Sequence, residues 1–402
     1  SEMGEKKNDA RSSLVEEKFL RTIGVWPVNA DSFASLARWS LTAIIQVSFT
    51  TACSLTLEMY RHCLDMDNTM DAFVMNLSSI VSLSKHCIMR LNRHHSYALV
   101  NSIGQDWSAV TDTDSRHRRI MIEYFRRGKL VSTGLPSLLF LSIKVNFLLL
   151  SSTTPPKQKQ DTTNSTGNSN ETSSVTYVLP TYCVFGSLPF DLRICVFLMQ
   201  TVELYANATS HCGNDGFYFS LAMHLCGQLE ILKMNLAEIE IKESASHKKI
   251  GLLVERHCRL VVLAEDFEHT FNMVILVQLL MSATLLGVEG FLLLISLNAK
   301  DNSDALKRAV IIVTLLVQLF LYAYAGDNLE SRFEAISYAA YASPWYHFRG
   351  HAGRDMAFII NRGNSPYHVT AGKFLPMNLF TFKEILKASA SYLSVLKVMM
   401  GT

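Results

Sequence analysis

The sequence predicts an all-α membrane protein of seven transmembrane helices, N-terminus cytoplasmic and C-terminus extracellular, whose long helices project into the cytosol as an anchor domain. Three observations carry that expectation. Of the 402 residues, 49% are hydrophobic and 18% charged, a balance that departs from soluble enzymes. Apolar runs long enough to cross ~30 Å of hydrocarbon, about 20 residues each, recur along the chain. Lysine and arginine gather in alternate connections between those runs, and the positive-inside rule turns that asymmetry into an orientation.

Residues 1–35 form a polar to amphipathic cytoplasmic segment with Lys6, Lys7, Arg11, Lys18 and Arg21. No apolar stretch precedes residue 36, so insertion is expected to begin at an internal span without a cleaved leader. The first run covers 36–60, and the second, 70–89, carries Asn76 and Lys85. A basic connection follows with Arg90, Arg93, Arg116, Arg118, Arg119, Arg126, Arg127 and Lys129. Its charge is explained by a cytosolic position and not by nucleic acid. The third run is 130–150. The loop 151–188 after it opens on a Ser, Thr, Asn, Gln and Pro stretch that lacks the apolar surface to fold alone. Two glycosylation acceptors, Asn164 and Asn170, fall in this loop, which charge had already placed outside. The acceptor patterns at Asn76 and Asn207 fall in spans and are not expected to carry sugar.

The fourth run starts near Phe190 and reads as helix to about Leu236, which at about 1.5 Å per residue exceeds a bilayer. Its later part is expected to leave the membrane. After a charged segment, 237–262, come the fifth run, 271–297, and the sixth, 309–325. The resulting organisation is a cytoplasmic segment 1–35, spans one to six over 36–325, a cytoplasmic anchor 326–373, and a seventh span in 374–402.

Enzyme chemistry finds no support. The eight cysteines show neither CxxC pairs nor Cys/His ligand spacing. Cys63 and Cys183 lie in segments expected outside and form one candidate disulfide. The histidines make no HExxH pattern, and His347 with His351 lacks a third ligand. No catalytic residue, metal site or cofactor is expected. Ionisable groups at membrane depth are costly and paired or functional. Lys144 and Glu289 lie at matched depths in the third and fifth spans, so they are expected to pair or to share a solvated cavity. Glu203 is a weaker candidate of the same kind, and Lys85 is expected to reach back to the cytoplasmic headgroups.

A motif series distinguishes the C-terminal part of the chain. It comprises Tyr322-x-x-x-Gly326, Leu329, Tyr341-x-x-x-Trp345, the stretch Asn361 to Pro366, Ala371-Gly372-Lys373, Leu379-Phe380-Thr381-Phe382, Ile385-Leu386-Lys387 and Ser391-Tyr392. In this order the series resembles the insect odorant receptor family. Lys85, Leu188-Pro189-Phe190 and Gly227-Gln228-Leu229-x-x-Leu232 extend the resemblance upstream, while Ala325 departs from it where the family often has cysteine. The topology is inverted relative to G-protein-coupled receptors, and no Asp-Arg-Tyr or Asn-Pro-x-x-Tyr signature occurs in the third or seventh span. The related gustatory receptors end in a Thr-Tyr…Gln-Phe signature that Ser391-Tyr392…Lys397 does not supply. The shared co-receptor has a long insertion between the fourth and fifth spans, for which residues 237–262 are too short. The chain therefore looks like a ligand-tuning subunit.

The resemblance implies an odorant-gated, non-selective cation channel in the plasma membrane of an olfactory neuron dendrite, with a ligand pocket in the outer half of spans one to six (36–325) and a pore lined by the seventh span in 374–402. Its partners would be the odorant co-receptor in a heterotetramer, a small volatile odorant, permeating monovalent and divalent cations, and membrane lipid, with no nucleic acid. Gate positions three and seven residues after the Ser-Tyr tyrosine fall on Val395 and Met399, with Val398 on a neighbouring face. A ring of apolar side chains can close a pore by dewetting. The same spacing belongs to any terminal helix packed on its neighbours, and Lys397 is awkward in a cation pore. The family's pocket maps to Phe73, Asn76, Leu77 and Ile80 of the second span, Phe140, Ile143 and Phe147 of the third, Phe197, Thr201 and Tyr205 of the fourth, and Val310 and Thr314 of the sixth. Aromatics at helical spacing equally pack a bundle. The alternative is a seven-span chemoreceptor or carrier without a pore of its own.

Overall fold

The computed structural model describes residues 15–28, 30–63, 66–110, 115–152, 189–239, 243–348, 350–363 and 367–399. Its helices are α1 (Val15–Thr22), α2 (Phe33–Cys63), α3 (Met66–Leu91), α4 (Arg93–Val110), α5 (Ser115–Ser152), α6 (Phe190–Ala237), α7 (Glu243–Asn298), α8 (Asn302–Ala342), α9 (His351–Arg362) and α10 (Leu379–Met399). A 3-10 turn (Trp345–His347) precedes α9. Two short antiparallel strands, β1 (Thr370–Ala371) and β2 (Leu375–Pro376), lead into α10, with Thr370 opposite Pro376. Asn164, Asn170 and Cys183 lie outside the described residues, as do the side chains of Cys63, Phe147 and Met399.

The charged connections are helical. The basic residues from Arg116 to Lys129 open the same helix, α5, that holds the third apolar run, and the segment from Lys248 to Arg259 opens α7. Likewise α8 continues through Gly326 to Ala342. Each extension keeps an apolar stripe among its charges: Met121 and Tyr124 on α5, Ile250, Leu253, Leu260 and Phe267 on α7, and Leu329 and Ile336 on α8 are buried. These stripes close around α6, whose Tyr218, Leu221, Leu225, Leu229 and Leu232 are buried in the same cluster. Burying each such side chain contributes about 1.5–3 kcal/mol, which is what continues these helices beyond the apolar runs.

Within the described residues, three helical stretches are long and apolar enough by composition to cross a membrane, in Thr69–Leu91, Lys248–Asn298 and Asn302–Ala342. Helix α2 is zipped to α3 by side-chain hydrogen bonds. Gln46 Nε2 donates to Ser82 Oγ at 2.8 Å, Thr50 to Ser79 at 3.0 Å, and Asn76 Nδ2 to Ser54 at 2.7 Å, a mode of helix association suited to lipid. Its other face exposes Leu41, Ile44, Val47 and Leu55.

The entry to α10 is fastened to α8. A β-carbon on Gly326 would come within 2.0 Å of the Met377 carbonyl oxygen, so only glycine lets the segment before α10 lie there. Asn378 caps α10, its Oδ1 accepting from Thr381 N at 3.1 Å. At the other end of the chain, Glu16 of α1 accepts hydrogen bonds from Ser132 of α5 and Ser220 of α6.

Candidate functional site

Helices α3, α5, α6, α7 and α8 enclose a cavity of about 160 Å³. Its apolar wall includes Val74, Leu139, Ile143, Leu204, Met281 and Ile311, and its polar wall Ser78, Asn207, His211, Gln278, Thr314 and Gln318. Internal bonds hold several of these: Asn207 Nδ2 donates to Ser78 Oγ at 3.2 Å, and Gln278 Nε2 to Ser282 Oγ at 2.7 Å. The amide oxygens of both residues, and Nδ1 of His211, are buried without a hydrogen-bond partner among the described residues. Buried polar atoms of this kind are rare in folded proteins and call for an explanation.

Of the residues expected to line a pocket, Ile143 and Thr314 do so. Phe140 and Tyr205 stack on each other, with centroids 5.8 Å apart, and Asn76 is occupied with Ser54. Leu77 packs against the main core, Thr201 bonds back to the Phe197 carbonyl at 2.8 Å, and Phe73, Ile80 and Val310 are half-buried away from the wall. On α3 the cavity takes the adjacent register, Val74, Met75, Ser78 and Val81. Helix α7, absent from the expected set, supplies Gln278, Met281, Ser282 and Leu285.

Beside the cavity sits a buried ionic centre. Gln318, a wall residue, donates to Asp215 Oδ2 at 2.8 Å, while Asp215 Oδ1 accepts from Lys85 Nζ at 2.5 Å and Tyr322 OH at 2.6 Å. Tyr218 donates to the Tyr322 carbonyl at 3.1 Å, and the two rings stack with centroids 4.5 Å apart. Lys85 is therefore no headgroup-seeking lysine: its side chain is wholly buried, because α6 presents a carboxylate to it. Asp215 carried no signal of its own, lying within the long fourth run.

The expected Lys144–Glu289 pair is replaced by a different one. Glu289 is fully buried with Arg308 Nη1 at 3.6 Å, whereas Lys144 is exposed on α5. Arg308 also meets Asp71 at 2.5 Å and Asp304 at 3.3 Å, and Lys307 reaches Asp71 at 2.5 Å. The cation comes from the start of α8, four residues after Asp304 and just ahead of the sixth apolar run. Glu203 is buried with Oε1 unpartnered.

Helix α10 packs on α7 just beyond the cavity wall. A β-carbon on Gly290 would come within 2.6 Å of Leu393, and Gly287 faces Tyr392. The opposite side of α10 is open: Val395 is 56% and Val398 75% exposed. Lys397 is also exposed. Away from the cavity, Gln228 accepts from Arg256, and Arg332 pairs with Glu230 at 2.5 Å. Tyr124, under the guanidinium groups of Arg127 and Arg332, is pushed up to about 12 by burial.

The 7tm odorant receptor family model matches residues 65–390. The chain is 24% identical over 193 residues to odorant receptor 47a of Drosophila melanogaster, covering 46% of this chain and 48% of that one. It is 26% identical over 199 residues to odorant receptor 13a of the same species, covering 45% and 47%. With odorant receptor 10 of Aedes albopictus it shares 21% over 207 residues, covering 50% and 54%. The chain thus spans about half the length of the curated relatives it matches. In fold it is similar to the insect olfactory receptor OR5 from Machilis hrabei in complex with eugenol, with a TM-score of 0.77 over 99% of this chain and 100% of that one at 12% identity.

Proposed function

The chain belongs to the 7tm odorant receptor family, and from that premise we propose that it is the tuning subunit of an odorant-gated, non-selective cation channel assembled with the odorant co-receptor. It crosses the plasma membrane seven times with its N-terminus inside, and α10 lines the pore. The observation that carries this reading is the cavity whose α7 wall continues directly into the glycines that support α10. A ligand pressing on Met281 and Leu285 pushes on the helix that bears Tyr392 and Leu393. Val395 and Val398, exposed on the single subunit, are then free to meet the pore axis.

Size and polarity narrow the ligand. An apolar cavity of about 150 Å³ takes up benzene, so about 160 Å³ suits one substituted ring or a short chain. The unpartnered oxygens of Asn207 and Gln278 are acceptors, which favours a ligand with a hydroxyl donor. Eugenol, the phenol bound by the Machilis hrabei receptor, is a fitting first probe.

The test is current recorded from cells expressing the chain with its co-receptor under a panel of small phenols and alcohols. Ile143→Trp fills the cavity and should abolish the response. Gln278→Leu should raise the half-activating concentration of hydroxylated ligands about tenfold, the cost of one lost buried hydrogen bond, and leave matched hydrocarbons unaffected. Val395→Ala and Val398→Ala should alter gating or ion selectivity; unchanged currents in both would remove the gate from α10. A response that requires G protein or substrate flux would favour the carrier or poreless receptor instead.

A further inference from the structure

A second, larger cavity, of about 600 Å³, opens where α1, the turn after it, the start of α2 and the start of α4 meet. It lies within the range of small-ligand sites, about 300–1,000 Å³. Its lining is unlike that of the membrane cavity: Arg21, Arg38, Arg93 and His94 face it with Trp26 and Tyr97, and Asp31 is its acidic residue. The wall is prebuilt. Gly24 adopts φ +74°, where a β-carbon would come within 2.4 Å of Trp39 N, and its carbonyl accepts from Ser35 Oγ at 3.3 Å and Arg90 Nη1 at 3.4 Å. Trp26 is buried and packs edge-on against Phe217 of α6, with centroids 5.8 Å apart.

The charges leave capacity for an anion. Arg21 pairs with Glu17 at 2.6 Å and Arg93 with Asp31 at 2.9 Å, both at the solvent surface. Exposed pairs of this kind are weak, and a phosphate dianion is the stronger acceptor for arginine. Arg38 is exposed and has no acidic partner among the described residues. Next to these lining residues in the chain, Phe33 beside Ser32 is 86% exposed and Leu91, two residues before Arg93, is 79% exposed, with Leu36 and Leu41 also exposed on α2. Large apolar side chains so exposed beside arginines suit a membrane boundary, where hydrocarbon and phosphate are within reach together.

We propose that this cavity binds the phosphorylated headgroup of an inner-leaflet anionic lipid of the phosphoinositide class, with Arg38, Arg93 and His94 on the phosphates and Phe33 and Leu91 among the acyl chains. The site rests on the reading that places residues 1–35 and the start of α4 in the cytoplasm. Basic pockets beside the cytoplasmic ends of membrane helices have the chemistry for such headgroups. A soluble inositol phosphate carries the same phosphates without the chains.

The full chain, purified with its co-receptor and exchanged into phosphatidylcholine vesicles doped with either phosphatidylinositol bisphosphate or phosphatidylserine, is assayed by native mass spectrometry for retained lipid. Phosphatidylinositol bisphosphate should be retained preferentially. Arg38→Gln and Arg93→Gln should each weaken retention about fivefold, while Arg38→Lys should keep most of it and Arg118→Gln, on exposed α5 surface, should keep all of it. Equal retention of phosphatidylserine, or equal loss in Arg118→Gln, overturns the pocket in favour of bulk charge. Soluble inositol trisphosphate that competes as well as the lipid overturns the lipid as the source. Ligand-gated current recorded in parallel from Arg38→Gln reports separately on the channel reading: current that persists while lipid retention falls supports both assignments, and absent current with normal retention removes the channel without removing the pocket.

Discussion

Asp215 on α6 and Glu289 on α7 are both carboxylates withdrawn from solvent, with side chains 4% and 0% exposed, yet they are partnered very differently. Asp215 accepts from an ammonium, a phenol and an amide at 2.5–2.8 Å, and those donors come from α3 and α8. Glu289 has one guanidinium at 3.6 Å and, among the described residues, no hydrogen bond to either oxygen, and that guanidinium is shared with Asp71 and Asp304. A saturated buried network specifies one arrangement, whereas a partly satisfied one leaves others close in energy. The first site ties three helices together beside the cavity. The second lies one residue from Gly290, where Leu393 of α10 rests. The contrast marks a fixed centre and a movable support within one bundle.

The largest expected effect follows from breaking the centre. Asp215→Leu strands the Lys85 ammonium in the interior, a loss of about 3 to 5 kcal/mol. It should abolish the monodisperse peak of the detergent-solubilised receptor in size-exclusion chromatography. The double change Lys85→Met with Asp215→Leu removes the uncompensated charge and should restore the peak. If the single variant runs and melts like wild type, Asp215 is no clamp and the contrast with Glu289 fails.

A third buried carboxylate lies between these two. Glu16 has hydroxyl donors from Ser132 and Ser220 but, among the described residues, no cation. Burial pushes it up to about 7, with the Ser220 hydroxyl pulling the other way. Since the folded value exceeds the usual carboxylate value, the stabilisation is complete below about 4.5 and is lost as pH rises through about 7. Between about pH 6 and pH 8 the loss is about 1 kcal/mol. Glu16→Gln, which keeps the shape without the titration, should flatten the melting temperature of the purified receptor across that interval. A pH dependence that persists unchanged in Glu16→Gln would assign it to another group.

What the sequence showed of this arrangement depended on spacing. Tyr322 and Gly326 stand one helical turn apart, so a motif legible in the chain places a phenol on Asp215 and a bare backbone under Met377 from one face of α8. The length of α6 was legible too, because apolar residues continue to its end at Ala237. The pocket register on α3 was not. Phe73, Val74 and Met75 are all apolar, and a helix apolar on several faces gives periodicity nothing to choose between. Helix α7 was absent because the resemblance assigns the pocket to the second, third, fourth and sixth spans alone. Lys85 was misread because its partner is more than a hundred residues away in the chain, and Glu289 because its cation stood in a segment taken for a connection.

The smallest effect is the most discriminating. Glu289→Gln removes a charge without stranding its partner, since Arg308 keeps Asp71 at 2.5 Å and Asp304 at 3.3 Å. The carboxylate gives up no hydrogen bond, having none among the described residues, so folding stability should stay within about 0.5 kcal/mol of wild type. Gating should nonetheless shift. With the Glu289 charge gone, Arg308 is drawn wholly toward Asp71 and Asp304, and α7 loses an electrostatic tie to α8 at the level where Leu393 sits on Gly290. The expected result is a change of severalfold in half-activating ligand concentration alongside an unaltered melting temperature. A melting temperature that falls as far as in Asp215→Leu would show the two carboxylates to be equally committed, and the support beneath α10 would then be as fixed as the centre.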